Sequence, residues 1–219
     1  MIIKACLFDL DGVIVDTAKY HFLAWKEMAN QLGFDFTEKE NEQLKGVSRM
    51  DSINLILGWG GIELTEAEKL KWATEKNEMY QAYLQKMDDK EILPGVLDFV
   101  KSLKAKGIKV ALGSSSKNAV LALTKVGMLD YFEAIIDGTK TTRSKPDPQV
   151  FEMGAEALGV QPNECIVFED AASGVEAALK GGFYAIGMGS PDNLGAAHLV
   201  LDSLAGVSIE SIIEKIMAH

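Results

Sequence analysis

Two short acidic clusters carry the strongest chemical signal in the chain. Asp9-Leu10-Asp11-Gly12 follows the apolar run Ile2–Phe8, and Glu169-Asp170 closes the run Cys165–Phe168. Carboxylates at i and i+2 share one side of an extended chain, so Asp9 and Asp11 can face one point beyond the strand's end. Open α/β sheets bind ligands at that carboxyl edge. Side-by-side pairing of the two runs would bring four carboxylates together. Like charges about 4 Å apart repel by about 4 kcal/mol at an effective dielectric of roughly 20, so such a set requires a counter-cation. All-oxygen ligation favours Mg²⁺ over zinc. One acidic pair by itself reads as a solvated strand end; two, each after an apolar strand, read as a site.

An oxyanion would explain the cation. Gly113-Ser114-Ser115-Ser116 follows the run Ile108–Leu112 and opens a helix expected to begin near Lys117. Small hydroxyl residues at a helix start offer backbone N–H groups and O–H donors to phosphate, although serines there are also ordinary caps. Lys145, ahead of Pro146-Asp147-Pro148, adds a point charge, and its bond to Pro146 is expected to be cis. Gly138-Thr139-Lys140-Thr141 lacks the upstream glycine of a P-loop and is not read as a nucleotide site.

The elements that must position these groups alternate along the chain. Ile2–Phe8, Ile108–Gly113, Ala134–Asp137, Cys165–Glu169, Tyr184–Met188 and His198–Leu201 are apolar runs of strand length, suited to a sheet covered on both faces. Ile209, Ile212, Ile213 and Ile216 share one helical face, as do Val96, Val100 and Leu103. This pattern predicts an α/β fold with a doubly wound, mostly parallel sheet. Residues 17–92 break the rhythm: they hold all three tryptophans, no proline and no convincing strand. Helices are expected around Phe22–Leu32, with Gly33 as the stop, and over Ile53–Leu57 and Glu66–Tyr83. The expected division is a core of 1–16 and 93–219 interrupted by a helical cap of 17–92.

Composition narrows the classes further. A 219-residue chain with 47% hydrophobic and 25% charged residues is globular, and its net charge of −10 argues against nucleic acid or an acidic membrane as partner. Cys6 and Cys165 lie in apolar runs and are expected to be reduced, which with the absence of a signal or membrane-spanning stretch predicts a cytoplasmic protein.

Asp9-Leu10-Asp11-Gly12-Val13, Gly113–Ser116, Ser144-Lys145-Pro146-Asp147 and Phe168-Glu169-Asp170-Ala171 together resemble, in order and spacing, the four motifs of the haloacid dehalogenase superfamily. The resemblance implies a Rossmann-like core with Asp9 as a nucleophile that takes a phosphoryl group, and Asp11 as general acid and base. It implies Mg²⁺ held by Asp9, the Asp11 carbonyl and Asp170 with Glu169 assisting, and a phosphoryl cradle of Ser114, Ser115 and Lys145. Within the superfamily the chain is most similar to sugar-phosphate mutases, over nearly its whole length. Thr17, His21, Trp25, the loop Lys45-Gly46-Val47-Ser48-Arg49, Lys76-Asn77 and Ser116-Lys117-Asn118 carry that similarity. It implies that Arg49, Ser116, Lys117 and Asn118 hold the phosphate that is not in transfer, and that Gly46 and Val47 meet the sugar through backbone. His21 and Lys76 couple binding to cap closure and to Asp11.

The implied reaction interconverts β-glucose 1-phosphate and glucose 6-phosphate through an aspartyl phosphate and β-glucose 1,6-bisphosphate. The expected partners are the sugar phosphate and bisphosphate alone, and the expected state is a monomer. Hinges are expected at Asp16-Thr17 and Asp88–Leu93. Taken singly, His21 and Trp25 read as packing residues and Lys45 and Arg49 as solvated cations; His198 and His219 stay so. The rival readings are a phosphatase, with water as acceptor, and a non-catalytic sugar-phosphate sensor, for which the Asp9–Asp11 pair has no use.

Overall fold

The computed structural model describes residues 2–218. Its centre is a six-stranded sheet built from β1 (Ala5–Phe8), β2 (Lys109–Gly113), β3 (Ala134–Ile136), β4 (Cys165–Glu169), β5 (Tyr184–Met188) and β6 (Leu199–Leu201). The order is β3-β2-β1-β4-β5-β6 and every pair is parallel. Each apolar run supplies one strand, although β1 starts three residues later than the run, since Ile2 is 75% exposed and has no sheet to join. Among the described residues the α-helices are α1 (Ala18–Gln31), α2 (Glu38–Glu42), α3 (Arg49–Gly60), α4 (Glu66–Leu84), α5 (Val96–Ala105), α6 (Ala119–Lys125), α7 (Gln149–Leu158), α8 (Ala172–Lys180), α9 (Pro191–Leu194) and α10 (Ile209–Met217).

Alternation along β1 splits its side chains between the two sheet faces. Cys6 and Phe8 join one apolar cluster with Phe99 of α5, Leu123 of α6 and Ile212 of α10. Ala5 and Leu7 join another with Phe151 of α7 and Val175 of α8. Phe8 stacks on Phe168 at 4.6 Å, with Phe99 edge-on to it at 6.3 Å. The same alternation keeps the cysteines apart. Cys6 belongs to the first face and Cys165 to the second, and both thiols are free, as expected.

Between β1 and α5 lies the helical block α1–α4. It has an apolar cluster of its own, centred on Trp25, Met28, Phe36, Ile53 and Ile56. Capping boxes at Thr37–Glu40 and Thr65–Glu68 start α2 and α4. The short α2 was not foreseen, having too few residues for a periodic apolar signal. Ala24 of α1 and Tyr80 and Leu84 of α4 instead join the larger cluster against the sheet. The two connections run side by side: Asp16 N–H donates to Glu91 O (2.9 Å) and Leu93 N–H to Ile14 O (3.0 Å). Glu91 also takes Lys19 Nζ and Tyr20 Oη, each at 2.6 Å, so one carboxylate ties both connections to α1. Among the described residues no helix is long and apolar enough to cross a membrane.

Candidate active site

Three neighbouring strands end at one rim and set the site. Phe8 pairs in register with Leu112 on one side and Phe168 on the other, so Asp9, Gly113-Ser114 and Glu169-Asp170 leave the sheet together. Gly12 turns the chain at φ +77°, and a Cβ there would run into the Asp170 carboxylate. Glycine thus permits both the turn and the approach of β4's acidic end.

Carboxylate oxygens of Asp9, Glu169 and Asp170 lie within 4.8 Å of one another. Two lysines partly neutralise them. Buried Lys145 reaches Asp9 Oδ1 at 2.6 Å and Glu169 Oε2 at 2.9 Å, and Lys45 reaches Asp170 Oδ2 at 3.1 Å. Burial works against the charge on Lys145, but Asp9 and Glu169 outweigh it and keep the amine protonated. The donor set is all oxygen and still carries excess negative charge with Asp11 beside it, which fits a hard divalent cation. Burial, opposed by Lys45 and reinforced by Asp9, pushes Asp170 up to about 6.

A cation at this cluster must displace that proton, so affinity rises as pH climbs through about 6. The stability linkage has the opposite sense for the metal-free chain. A carboxyl raised on folding binds a proton that the unfolded chain has released, so its contribution is lost as pH rises from about 4 to about 6. The expected result is a larger rise in melting temperature on adding a divalent cation at about pH 7.5 than at about pH 5. Equal increments at the two pH values would exclude cation binding here.

Asp11 is pushed up to about 7 by burial and by Asp9, against a hydrogen bond donated by Thr17 Oγ1. His21 Nε2 faces it at 3.8 Å, and Lys76 Nζ lies 2.9 Å from His21 Nδ1. Burial and the neighbouring Lys76 and Arg49 hold His21 well below its ordinary value, so the ring is neutral. Nδ1 then accepts from Lys76 and Nε2 carries the hydrogen towards Asp11. Lys76 itself is brought down to about 7 by burial and Arg49, with Asp11 opposing. Its amine sits over the rings of Trp25 (4.3 Å) and Tyr80 (4.9 Å). Trp25 therefore both packs in the helical cluster and lines the site.

These groups surround a cavity of about 410 Å³ between the sheet rim and the helical block. Asp9, Asp11, His21, Trp25, Lys76 and Asp170 line it, together with the whole of 45–49 and 114–118. Thr17, Lys145 and Glu169 are buried behind its wall. Gly46, at φ +74°, docks its loop on the core: its carbonyl accepts from Ser115 Oγ at 2.9 Å, and the Lys45 carbonyl accepts from Ser173 Oγ at 3.2 Å. A second polar chain joins Arg49 Nη2 to Asn77 Oδ1 (2.6 Å), which also accepts from Asn118 Nδ2 (2.8 Å). Gln81 Nε2 donates to Asn118 Oδ1 at 2.8 Å.

Several placements differ from the sequence reading. Helix α6 starts at Ala119, later than Lys117, because Ser114 and Ser116 hydroxyls take the N–H groups of Ser116 and Asn118. The Ser48 hydroxyl caps α3 through Asp51 N–H, a structural duty, although the residue borders the cavity. Tyr80, Gln81 and the wall residues Thr142 and Arg143 escaped notice, and Gly138 and Thr141, set aside as a nucleotide loop, line the cavity as well. Tyr80 and Gln81 stand at i+4 from Lys76 and Asn77, so the helical period alone could have found them. His198 accepts Ala185 N–H on Nδ1 at 3.1 Å and is a satisfied structural histidine, while His219 lies outside the described residues. The Lys145–Pro146 bond is cis.

A family model for haloacid dehalogenase-like hydrolases matches residues 3–182. Among curated relatives, a β-phosphoglucomutase of Bacillus subtilis is 41% identical over 97% of this chain and 95% of its own length. A phosphorylated carbohydrates phosphatase of Thermotoga maritima is 31% identical over 96% of each. The crystal structure of a β-phosphoglucomutase from Clostridium difficile superposes with a TM-score of 0.95 at 41% identity, covering 99% of this chain and 98% of that one. The parallel sheet, the acidic rim and the reach of the family model agree, and the chain belongs to the haloacid dehalogenase-like hydrolase family.

Proposed function

We propose that the protein is a β-phosphoglucomutase that moves a phosphoryl group between Asp9 and a glucose phosphate. What supports the reading is a second cluster of cationic and amide side chains, set apart from the first and suited to a phosphate. Asp9, Ser114 and Lys145 meet at the strand ends, whereas Arg49, Asn77 and Asn118 meet where α3 and α4 face the start of α6, beside Lys117. A simple phosphatase needs one such cluster; exchange between two ends of a sugar bisphosphate needs two.

The family is metal-dependent, and Mg²⁺ suits the all-oxygen set of Asp9, Glu169, Asp170 and the Asp11 carbonyl. When bound, such an ion neutralises charge on the transferring phosphoryl. The chain's own groups do the rest. Asp9 attacks phosphorus and the bridging oxygen leaves, protonated by Asp11; in the return step Asp11 takes the proton from the attacking sugar hydroxyl. An environment that poises Asp11 near neutrality serves both directions. Residues 17–92 act as a cap hinged at 16–17 and 88–93, and the Gly46 and Asn118 contacts hold it shut and exclude water. The substrate is a small sugar phosphate, the ligand set includes its bisphosphate, and the working state is a cytoplasmic monomer.

The test is a product assay with Mg²⁺, β-glucose 1-phosphate and a trace of bisphosphate. Glucose 6-phosphate is the expected product; dominant release of inorganic phosphate would favour the phosphatase named above among the relatives. Arg49→Ala extends the test. Losing a charge-assisted contact to the distal phosphate should cut mutase kcat/KM by about 100-fold or more. Hydrolysis of a small phosphate ester, which has no distal phosphate, should fall far less. Equal losses would remove Arg49 from that role.

A further inference from the structure

Arg49, Asn77, Asn118 and Gln81 form one hydrogen-bond chain whose direction is fixed from one end. Arg49 Nη2 donates to Asn77 Oδ1 at 2.6 Å, Asn118 Nδ2 donates to the same oxygen at 2.8 Å, and Gln81 Nε2 donates to Asn118 Oδ1 at 2.8 Å. A guanidinium has no acceptor, so the Asn77 atom that meets Arg49 must be the carbonyl oxygen. The Asn118 atom facing that oxygen must then be nitrogen, which turns the Asn118 carbonyl to Gln81 and makes Gln81 the donor there. Both asparagine carbonyls are thus taken up inside the chain, and what the two amides leave for the cavity is N–H. That polarity suits an anion. Arg49, Asn77 and Asn118 are among the described residues that line the cavity, and Gln81 is not. Backbone contacts independent of Gln81 hold Asn118 in place: its N–H donates to Ser116 Oγ (3.2 Å) and its main-chain carbonyl accepts from Ala122 N–H (3.0 Å). Gln81, half-buried one turn beyond Asn77 on α4, therefore bears on the direction of the Asn118 amide and not on the position of the residue.

We propose that Gln81 is a positioning residue for the phosphate that is not in transfer: by holding the Asn118 carbonyl, it keeps the Asn118 amide hydrogens turned towards that phosphate. This rests on the reading above in which Arg49 and Asn118 meet the distal phosphate. An asparagine amide has two ends of nearly equal shape and opposite polarity, and its last torsion is soft. Asn77 restrains the nitrogen end; Gln81 restrains the oxygen end. Without the Gln81 donor the carbonyl of buried Asn118 loses its partner, and rotation of the amide would aim oxygen lone pairs at the anion.

Gln81→Met keeps the reach of the side chain and suits a helix but cannot donate. With Mg²⁺, β-glucose 1-phosphate and a trace of bisphosphate, KM should rise by about fivefold while kcat stays within about twofold, because a contact to the distal phosphate is made alike in ground and transition states. Hydrolysis of a small phosphate ester, which has no distal phosphate, should stay within about twofold. Asn118→Ala should raise KM by about tenfold or more, and adding Gln81→Met to it should change KM by less than about twofold further, since the group that Gln81 orients is gone. An unchanged KM in Gln81→Met overturns the proposal, and so do losses that multiply in the double variant, which would place the action of Gln81 elsewhere. An equal fall in small-ester hydrolysis would show a structural residue, and faster release of inorganic phosphate with KM intact would show only a latch on the helical block; either overturns it. If Asn118→Ala itself leaves KM unchanged, the distal-phosphate reading of that residue falls; a loss there with none in Gln81→Met removes Gln81 alone.

Discussion

Asp9→Asn is expected to eliminate phosphoryl transfer, with a loss of turnover on the order of 10⁴-fold or more, as for removal of other catalytic nucleophiles. Both carboxylate oxygens of Asp9 are tied: Oδ1 to Lys145 at 2.6 Å and Oδ2 to the Asp11 N–H at 3.1 Å. The side chain is thus held at the strand end without needing substrate to order it. An amide is nearly isosteric but is a poor nucleophile and cannot form the acyl phosphate. Incubation with an acyl phosphate donor followed by mass spectrometry should find one added phosphoryl group in the unaltered protein and none in the variant. The fold should tolerate the change, because the residue sits among three other carboxylates and removing its charge relieves repulsion at the rim. Melting temperature without metal should hold or rise. A variant that unfolds, or one still labelled elsewhere in the chain, would contradict the assignment.

Asp11→Asn should show the second largest effect and a different pattern. General acid–base groups contribute typically about 10²–10⁴-fold, and sugar-phosphate interconversion should fall within that range. Phosphorylation of Asp9 by an acyl phosphate should fall much less, because a carboxylate leaving group needs no proton. The geometry supports a clean substitution. Thr17 Oγ1 can donate to the amide oxygen as it does to Asp11 Oδ1, and the raised proton affinity of Asp11 already points to a site that accepts a neutral group. Rapid-mixing measurement of the two half-reactions separates the outcomes. If the variant loses both equally, Asp11 acts on Asp9 or on metal binding instead of on the sugar oxygen.

Much of this site was legible in the chain because its core parts are local. Asp9 and Asp11 belong to one turn, as do Glu169 and Asp170, and each follows an apolar strand whose burial on both faces forces it into the middle of a sheet. A right-handed crossover rule and runs of fixed length then leave few ways to avoid bringing the two ends together. The helical block could be recognised because tryptophans and helical spacing cluster where strands and prolines do not. The boundaries of β1 and α6 were less accessible. Exposure of Ile2 depends on where the neighbouring strands stop, and the start of α6 on which serine hydroxyls win the backbone N–H groups.

Side-chain chemistry that depends on burial was decided only by the tertiary structure. Lys76 looks like any helix-surface lysine in the sequence, yet packing over Trp25 and Tyr80 removes its water and brings it to about 7. Ser48 looks like a ligand-facing loop residue and proves to be a helix cap, while Tyr80 looks like core and also borders the cavity. The chain alone determined which strands form, where the acidic rim lies and which family it resembles, since these follow from hydrophobic period and residue order. Which groups lose their solvent, and which contacts bridge helical block to sheet, follow from distances between segments far apart in sequence. Desolvation and Coulomb energies vary steeply over those few ångströms, and no spacing along the chain encodes them.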